Sequence, residues 1–168
     1  MLFRSRGNLD TRLRKLEAGE YDGIILASAG IRRLGWTDRV TEYLAPEVCL
    51  PAIGQGALAL EGRADDAFVR DVAARLDHRP TRTAVTAERA LLERLEGGCQ
   101  VPIAAHATIM GESLAMSALV AGVNGRRLVR DSILGPVTEA HKLGVRLAEC
   151  LLARGGDEIL REIYGAAP

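Results

Sequence analysis

The chain has 168 residues, enough for one ordinary domain or two small ones, and 48% of them are hydrophobic, so a packed core is expected. Basic and acidic side chains number 22 each, which removes an overall electrostatic attraction for nucleic acid or an anionic membrane. The three cysteines form no CxxC pair, no secretory signal is evident, and the apolar stretches are too short to span a bilayer. These features predict a protein of a reducing, cytoplasmic compartment, and three scattered histidines predict no metal site.

The first segment of the chain alternates between helical and strand patterns. A helix is predicted over residues 11–18 and ends at Gly19. Residues 21–27 form a short apolar run bounded by glycine, which predicts a buried strand, and residues 29–34 predict a short helix that stops at Gly35. A helix, a buried strand and a helix in this order indicate an α/β layer.

The middle segment contains glycines within an apolar pattern. Residues 50–60 resemble a strand interrupted by Gly54 and Gly56, which either take unusual backbone angles or let another group approach closely. A helix with an apolar stripe is predicted from residue 65 to about residue 76. The two aspartates at its start suit the positive end of the helix dipole, so we assign them no catalytic role.

The last segment predicts an α+β unit. A long helix over residues 82–95 is followed by a change to a period of two, with an Asn-Gly pair as a hairpin signal. The predicted strands are residues 101–110, 113–121 and 127–134, and two closing helices are predicted at 138–153 and 157–164.

Cys99 is the first residue that could carry chemistry. It follows two glycines at the end of the predicted helix 82–95, where a thiol is either exposed and able to hold a covalent group or a small buried apolar side chain. A helix C-terminus does not lower a thiol pKa, so a protease-like thiolate is not expected. Cys49 and Cys150 are predicted to be small buried apolar side chains with a structural role.

A basic cluster near the first helix is the second candidate. Arginine presents a planar fork that matches a carboxylate, and a loop before a helix offers free backbone N–H groups to an anion. The alternative is a solvated basic face, and the same ambiguity holds for Arg32 and Arg33. The cluster consists of Arg4, Arg6, Arg12, Arg14 and Lys15.

Four separated motifs occur together in the chain. They are residues 6–16, with their arginines, residues 21–35, residues 50–58 and residues 88–99, which end at Cys99. In this order they resemble the porphobilinogen deaminase (hydroxymethylbilane synthase) family, and the resemblance covers nearly the whole chain. It implies partial α/β domains like those of solute-binding proteins, followed by a small domain in which a three-stranded antiparallel sheet packs against helices.

The resemblance also implies three domain segments. Residues 1–53 correspond to the C-terminal part of the second α/β domain, and residues 54–77 to a returning segment of the first. Residues 78–168 correspond to the C-terminal α+β domain, which carries the cofactor cysteine.

The family resemblance implies a function in tetrapyrrole biosynthesis. Members condense four porphobilinogen units stepwise, with release of ammonia, on a dipyrromethane cofactor. Cys99 matches the cysteine that holds this cofactor as a thioether, and Arg6, Arg12 and Arg33 match positions that bind its carboxylates. The implied partners are porphobilinogen and the growing oligopyrrole, in a monomeric enzyme.

The resemblance is to about the second half of the family. The catalytic aspartate of the family lies in the other half, so no catalytic residue is assigned and the chain alone is expected to lack turnover. The alternatives are a non-catalytic remnant or anion-binding fragment, or one half of a split enzyme that needs an N-terminal partner. Exposed apolar surface and self-association are expected in residues 1–76.

Overall fold

A computed structural model describes residues 7–96 and 101–165. The chain divides into two compact units, Met1–Leu44 and Ala45–Pro168. Within the described ranges, no helix is both long enough and apolar enough to cross a membrane.

The regular secondary structure in the described part of the first unit is helical. It contains helices α1 (Leu9–Glu17) and α2 (Ser28–Arg33) and a short 3-10 helix (Thr37–Arg39). Leu13 on α1 and Ile31 on α2 are the buried hydrophobic side chains of its described part. The unit therefore has a small core, and its two predicted helices are confirmed.

The strand predicted at residues 21–27 is wrong. The structure has no strand there, and the side chain of Ile25 is 68% exposed. A strand needs a neighbouring strand to satisfy its backbone N–H and C=O groups. The described part of this unit contains no strand that could pair with residues 21–27. The apolar run alone could not reveal that a partner strand is missing.

The second unit begins with an irregular segment. Residues 50–60 contain no strand, so the interrupted strand predicted there is wrong. The chain instead turns at residues 53–56, where Gly54 has a φ of 68° and Gly56 a φ of 84°. These left-handed angles confirm the predicted backbone role of the two glycines.

Helix α3 (Ala67–Ala74) follows this turn. The carboxylate of Asp66 accepts a hydrogen bond from the Val69 N–H at 3.0 Å and caps the helix N-terminus. The predicted apolar stripe lies largely in solvent, since Phe68 is 77% exposed and Leu76 is 70% exposed. The prediction of exposed apolar surface in residues 1–76 is therefore confirmed for this helix.

The remaining elements form the predicted α+β unit. A three-stranded antiparallel sheet has the order β1-β2-β3, and each strand pairs with the next one along the chain. The elements are α4 (Arg79–Arg94), β1 (Ile103–Met110), β2 (Ser113–Ala121), β3 (Leu128–Pro136), α5 (Ala140–Leu151) and α6 (Asp157–Gly165). Helix α4 begins three residues earlier than predicted and includes Pro80 in its first turn. Proline is tolerated there because the N–H that it lacks would have no partner within the helix.

The core lies between one face of this sheet and the helices. On β2, alternate side chains are buried, as the period of two requires. The buried residues shared by the sheet and the helices include Leu91, Leu114, Met116, Val120, Leu143, Leu147 and Leu151. Helices α5 and α6 are separated by a wide turn at Leu152–Gly156, where Gly155 has a φ of 99°.

Candidate functional site

Arg12 lies half-buried on α1. Its Nη2 donates a hydrogen bond to the carbonyl oxygen of Ile25 at 3.2 Å. Its Nε is buried and has no hydrogen-bond partner among the described residues. Asn8, at the N-terminus of the same helix, makes no side-chain cap. One guanidinium N–H is therefore buried without an acceptor among the described residues, and a carboxylate is the acceptor class that matches it best.

Arg33 lies at the end of α2 and is exposed. The neighbouring Arg32 lies over the ring of Tyr43, with its guanidinium carbon 5.2 Å from the ring centroid. Of the two arginines, Arg32 is thus engaged within the unit, whereas Arg33 projects its charge to solvent. The structure brings Arg12 and Arg33 into the same unit, and Arg12 hydrogen-bonds to the segment that leads into α2.

Cys99 and Arg6 lie outside the described residues. The described residues before Cys99 end at Glu96, whose backbone has a φ of 53°. The hydroxyl of Tyr164 on α6 donates a hydrogen bond to the carbonyl oxygen of Glu96 at 2.6 Å. Burial raises the pKa of Tyr164, and the negative charge of Glu96 adds to this effect. This hydrogen bond holds the backbone at Glu96, three residues before Cys99 in the sequence, against α6.

The other cysteines do not resemble a site. Cys49 and Cys150 are both exposed and free. The predicted burial of these two side chains as structural residues is wrong, because Cys49 lies in an irregular exposed segment and Cys150 on the outer side of α5. Within residues 7–96 and 101–165, no cluster of three or more His, Cys, Asp or Glu side chains could hold a metal ion.

Glu88 is a residue that the sequence analysis did not single out. Its side chain is 5% exposed, and both of its oxygens accept backbone hydrogen bonds. Oε2 accepts from the Gly54 N–H at 2.7 Å and Oε1 from the Ala107 N–H at 2.9 Å. A signal was present in the sequence, because a single acid interrupts an apolar stripe at helical spacing on α4.

Two family models match the chain. Residues 2–71 match the model described as porphobilinogen deaminase, dipyromethane cofactor binding domain. Residues 82–153 match the model of the porphobilinogen deaminase C-terminal domain. The chain belongs to the porphobilinogen deaminase family. The predicted resemblance is confirmed, and the C-terminal family model coincides with the sheet and its flanking helices.

Relatives with this name are similar over almost the whole chain. Porphobilinogen deaminase of Geobacter sulfurreducens is 58% identical over 159 residues, which are 95% of this chain and 50% of the relative. The porphobilinogen deaminases of Geobacter metallireducens and of a Nostoc species are 57% and 51% identical over the same length. The chain thus spans about half the length of the curated relatives it matches.

The described residues fit a porphobilinogen deaminase cofactor at one point. Dipyrromethane carries several carboxylates, and the buried, unpartnered Nε of Arg12 is a donor suited to such a group. Arg12 lies inside the residues matched by the cofactor binding domain model. The donor chemistry of this unit is therefore compatible with the cofactor that the family model names.

Proposed function

We propose that this chain is the part of a hydroxymethylbilane synthase that carries dipyrromethane, with Cys99 as its thioether anchor. Arg6, Arg12 and Arg33 then bind the acetate and propionate groups. The observation that carries the proposal is the buried Nε of Arg12 without a partner among the described residues. A buried donor left unpaired costs about 1–3 kcal/mol, and a ligand carboxylate at this point removes that cost.

Each arginine has a separate task in this proposal. When bound, the cofactor supplies the pyrrole chain to which porphobilinogen units are added with loss of ammonia. Arg12, held by Ile25, offers a fixed donor, whereas the exposed Arg33 can meet a carboxylate that arrives from solvent. Every added ring brings two further carboxylates, so successive steps need several cationic contacts.

We expect no turnover by residues 1–168 alone. The chain spans half the length of its relatives, and the resemblance assigns the general acid and base to the unmatched half. Steady release of ammonia from porphobilinogen by the purified chain would contradict this expectation. If a co-purified N-terminal polypeptide restores ammonia release, the chain is one half of a split enzyme.

The organisation proposed for the intact protein has three domains. Residues 1–53 and 54–77 belong to two α/β domains like those of solute-binding proteins, and residues 78–168 form the third domain. Sheet partners from the remainder of such domains would allow residues 21–27 to pair as a strand. We further propose a cytoplasmic location, in which the exposed Cys49 and Cys150 stay reduced.

The loading of Cys99 is the direct test. We expect the intact mass of the purified chain to include a dipyrromethane-sized addition that the Cys99→Ser variant lacks. Cys150→Ser is the matched control, since Cys150 is exposed and free on α5, and it should keep the addition. An unmodified chain would instead identify a non-catalytic remnant or anion-binding fragment.

The role of Arg12 is tested by a pair of substitutions on α1. Arg12→Gln should lower the fraction of chains that carry the addition, because one charge-assisted hydrogen bond worth roughly 1.5–3 kcal/mol is lost. Arg14→Gln is the control, since Arg14 is exposed and pairs with Asp10 on the same helix. Equal loading of the two variants, measured by intact mass, would remove Arg12 from the proposed site.

A further inference from the structure

Glu88 is the one buried charged side chain in the part of the chain that the structure describes. A carboxylate removed from water is unfavourable unless charge-assisted hydrogen bonds replace its hydration. Here both replacements are backbone N–H groups from outside α4, at Gly54 and Ala107. The proposed function gives this carboxylate no role, so its two contacts call for a separate explanation.

One of these contacts is at the free edge of the sheet. Strand β1 is an outer strand, and the N–H groups of Ala105 and Ala107, two residues apart, point to the same edge. The Ala105 N–H donates to the carbonyl oxygen of Pro51 at 3.2 Å, and the Ala107 N–H donates to Glu88. Consecutive outward donors of this edge are thereby occupied, which prevents their pairing with another strand.

The other contact is with the irregular segment of residues 46–54. Near its start, Nη1 of Arg130 on β3 donates to the carbonyl oxygen of Glu47 at 2.8 Å. Leu50 in the middle of the segment is buried. The hydrogen bond from Gly54 to Glu88 holds the end of the segment, where the backbone turns. Beyond the turn the chain becomes exposed, and Leu58 is 90% accessible.

We propose that Glu88 is a carboxylate lock that joins the end of segment 46–54 to the free edge of β1. One side chain fixes two backbone donors that belong to different parts of the chain. Without the lock, the turn at Gly54 separates from α4 and the Ala107 donor becomes available for strand pairing. This inference concerns the fold of the second unit and does not depend on cofactor binding.

Amide hydrogen exchange tests the lock directly, because the two locked groups are themselves amides. In the full 168-residue chain, Glu88→Gln replaces one acceptor oxygen by an NH2 group that faces another donor. We expect the Gly54 or Ala107 amide, resolved by nuclear magnetic resonance, to exchange about tenfold faster. Glu93→Gln is the matched control, since Glu93 is exposed on the same helix, and it should change neither rate.

Two further measurements separate the lock from general stabilisation. Amides in β2 should keep their native exchange rates in Glu88→Gln, and an equal acceleration throughout β2 would overturn the proposal. Arg130→Ala releases the other end of the segment and should leave the Gly54 amide slow. If Arg130→Ala accelerates Gly54 as much as Glu88→Gln does, Glu88 is not the lock.

The unmodified chain also provides a test that does not depend on a variant folding. A Gly54 amide held by Glu88 must exchange more slowly than the same amide in an unstructured peptide. Exchange of Gly54 at the rate of an unstructured peptide overturns the proposal, and clear protection of both Gly54 and Ala107 supports it.

Discussion

Glu96 is the non-glycine residue with a positive φ in the described part of the chain, and it follows Leu95, the C-cap of α4. A left-handed backbone costs roughly 1–2 kcal/mol for a residue with a side chain. The hydrogen bond from the Tyr164 hydroxyl to the Glu96 carbonyl oxygen stabilises this conformation. The end of α4 thus depends on a residue 68 positions later in the chain.

Tyr164→Phe should reduce stability in a pH-dependent manner. The pKa of Tyr164 is raised in the folded state, so its contribution is complete below the unfolded pKa of about 10. The contribution is lost as the pH rises through the folded pKa, because the unfolded state releases the proton first. We expect urea unfolding to show the variant about 1 kcal/mol less stable at pH 8, with a smaller difference at pH 11.

Tyr43→Phe serves as the control for this experiment. Tyr43 contacts Arg32 through its ring, which phenylalanine retains, so Tyr43→Phe should leave the free energy of unfolding at pH 8 unchanged. A difference between wild type and Tyr164→Phe that stays constant or widens above pH 10 would contradict the prediction.

Single residues were only partly predictable from the sequence. Arg6, Arg12 and Arg33 could be proposed because arginine chemistry suits carboxylates, and their role stays a prediction. Glu88 was not selected, because its function depends on Gly54 and Ala107, which lie 34 and 19 residues away along the chain. Spacing within one helix identifies the buried face of that helix but not the backbone groups that meet it.

Helices α4 and α5 approach each other closely at Gly144. A Cβ atom added to Gly144 would overlap the carbonyl group of Ala87 and lie 3.0 Å from the Cβ of Ala90. The glycine therefore permits a helix contact that any larger residue would push apart.

Gly144→Ala should destabilise the second unit by about 1–3 kcal/mol, because overpacking outweighs the gain in helix propensity. Arg146→Ala places alanine at an exposed position of the same helix and should change stability by less than about 0.5 kcal/mol. Thermal unfolding followed by circular dichroism measures both variants. If Gly144→Ala has the same melting temperature as the wild type, α4 and α5 can move apart without loss of stability, and the prediction is wrong.

Helices and strands were predicted correctly where the pattern of apolar residues and turn glycines within the element is sufficient to identify it. The three strands of the sheet have alternating patterns and glycine turns at Gly111 and Gly125, both with positive φ. Helix α4 was placed correctly except at its start. The strand predicted at residues 21–27 is wrong because an apolar run indicates burial but does not show whether a neighbouring strand is present to pair with it.

The distribution of buried residues across the molecule is uneven. The hydrophobic core cluster contains side chains between Ala87 and Leu160. By contrast, Phe68 and Val72 are exposed along one face of α3, and Leu76 just after the helix and Leu58 before it are exposed as well. An apolar surface of this kind favours association between molecules.

Phe68→Ser should weaken self-association of the chain. Removing a phenylalanine from an apolar contact costs roughly 1.5–3 kcal/mol, which corresponds to about a tenfold or greater loss in association constant. Asp71→Ser, on the same helix, is the control and should leave association unchanged. Sedimentation velocity over a range of concentrations measures both, and equal association of the two variants would exclude α3 as the contact.

The meander of the second unit has a consequence for how this protein forms. Because β1, β2 and β3 are joined in sequence order, the sheet is completed by closing short loops. Short loop closures lose little chain entropy and give low contact order, which is associated with rapid folding. The sheet can therefore assemble from residues that are close in sequence. Substitutions in the irregular segment 46–54 or in α3 should therefore leave the folding rate of the sheet unchanged.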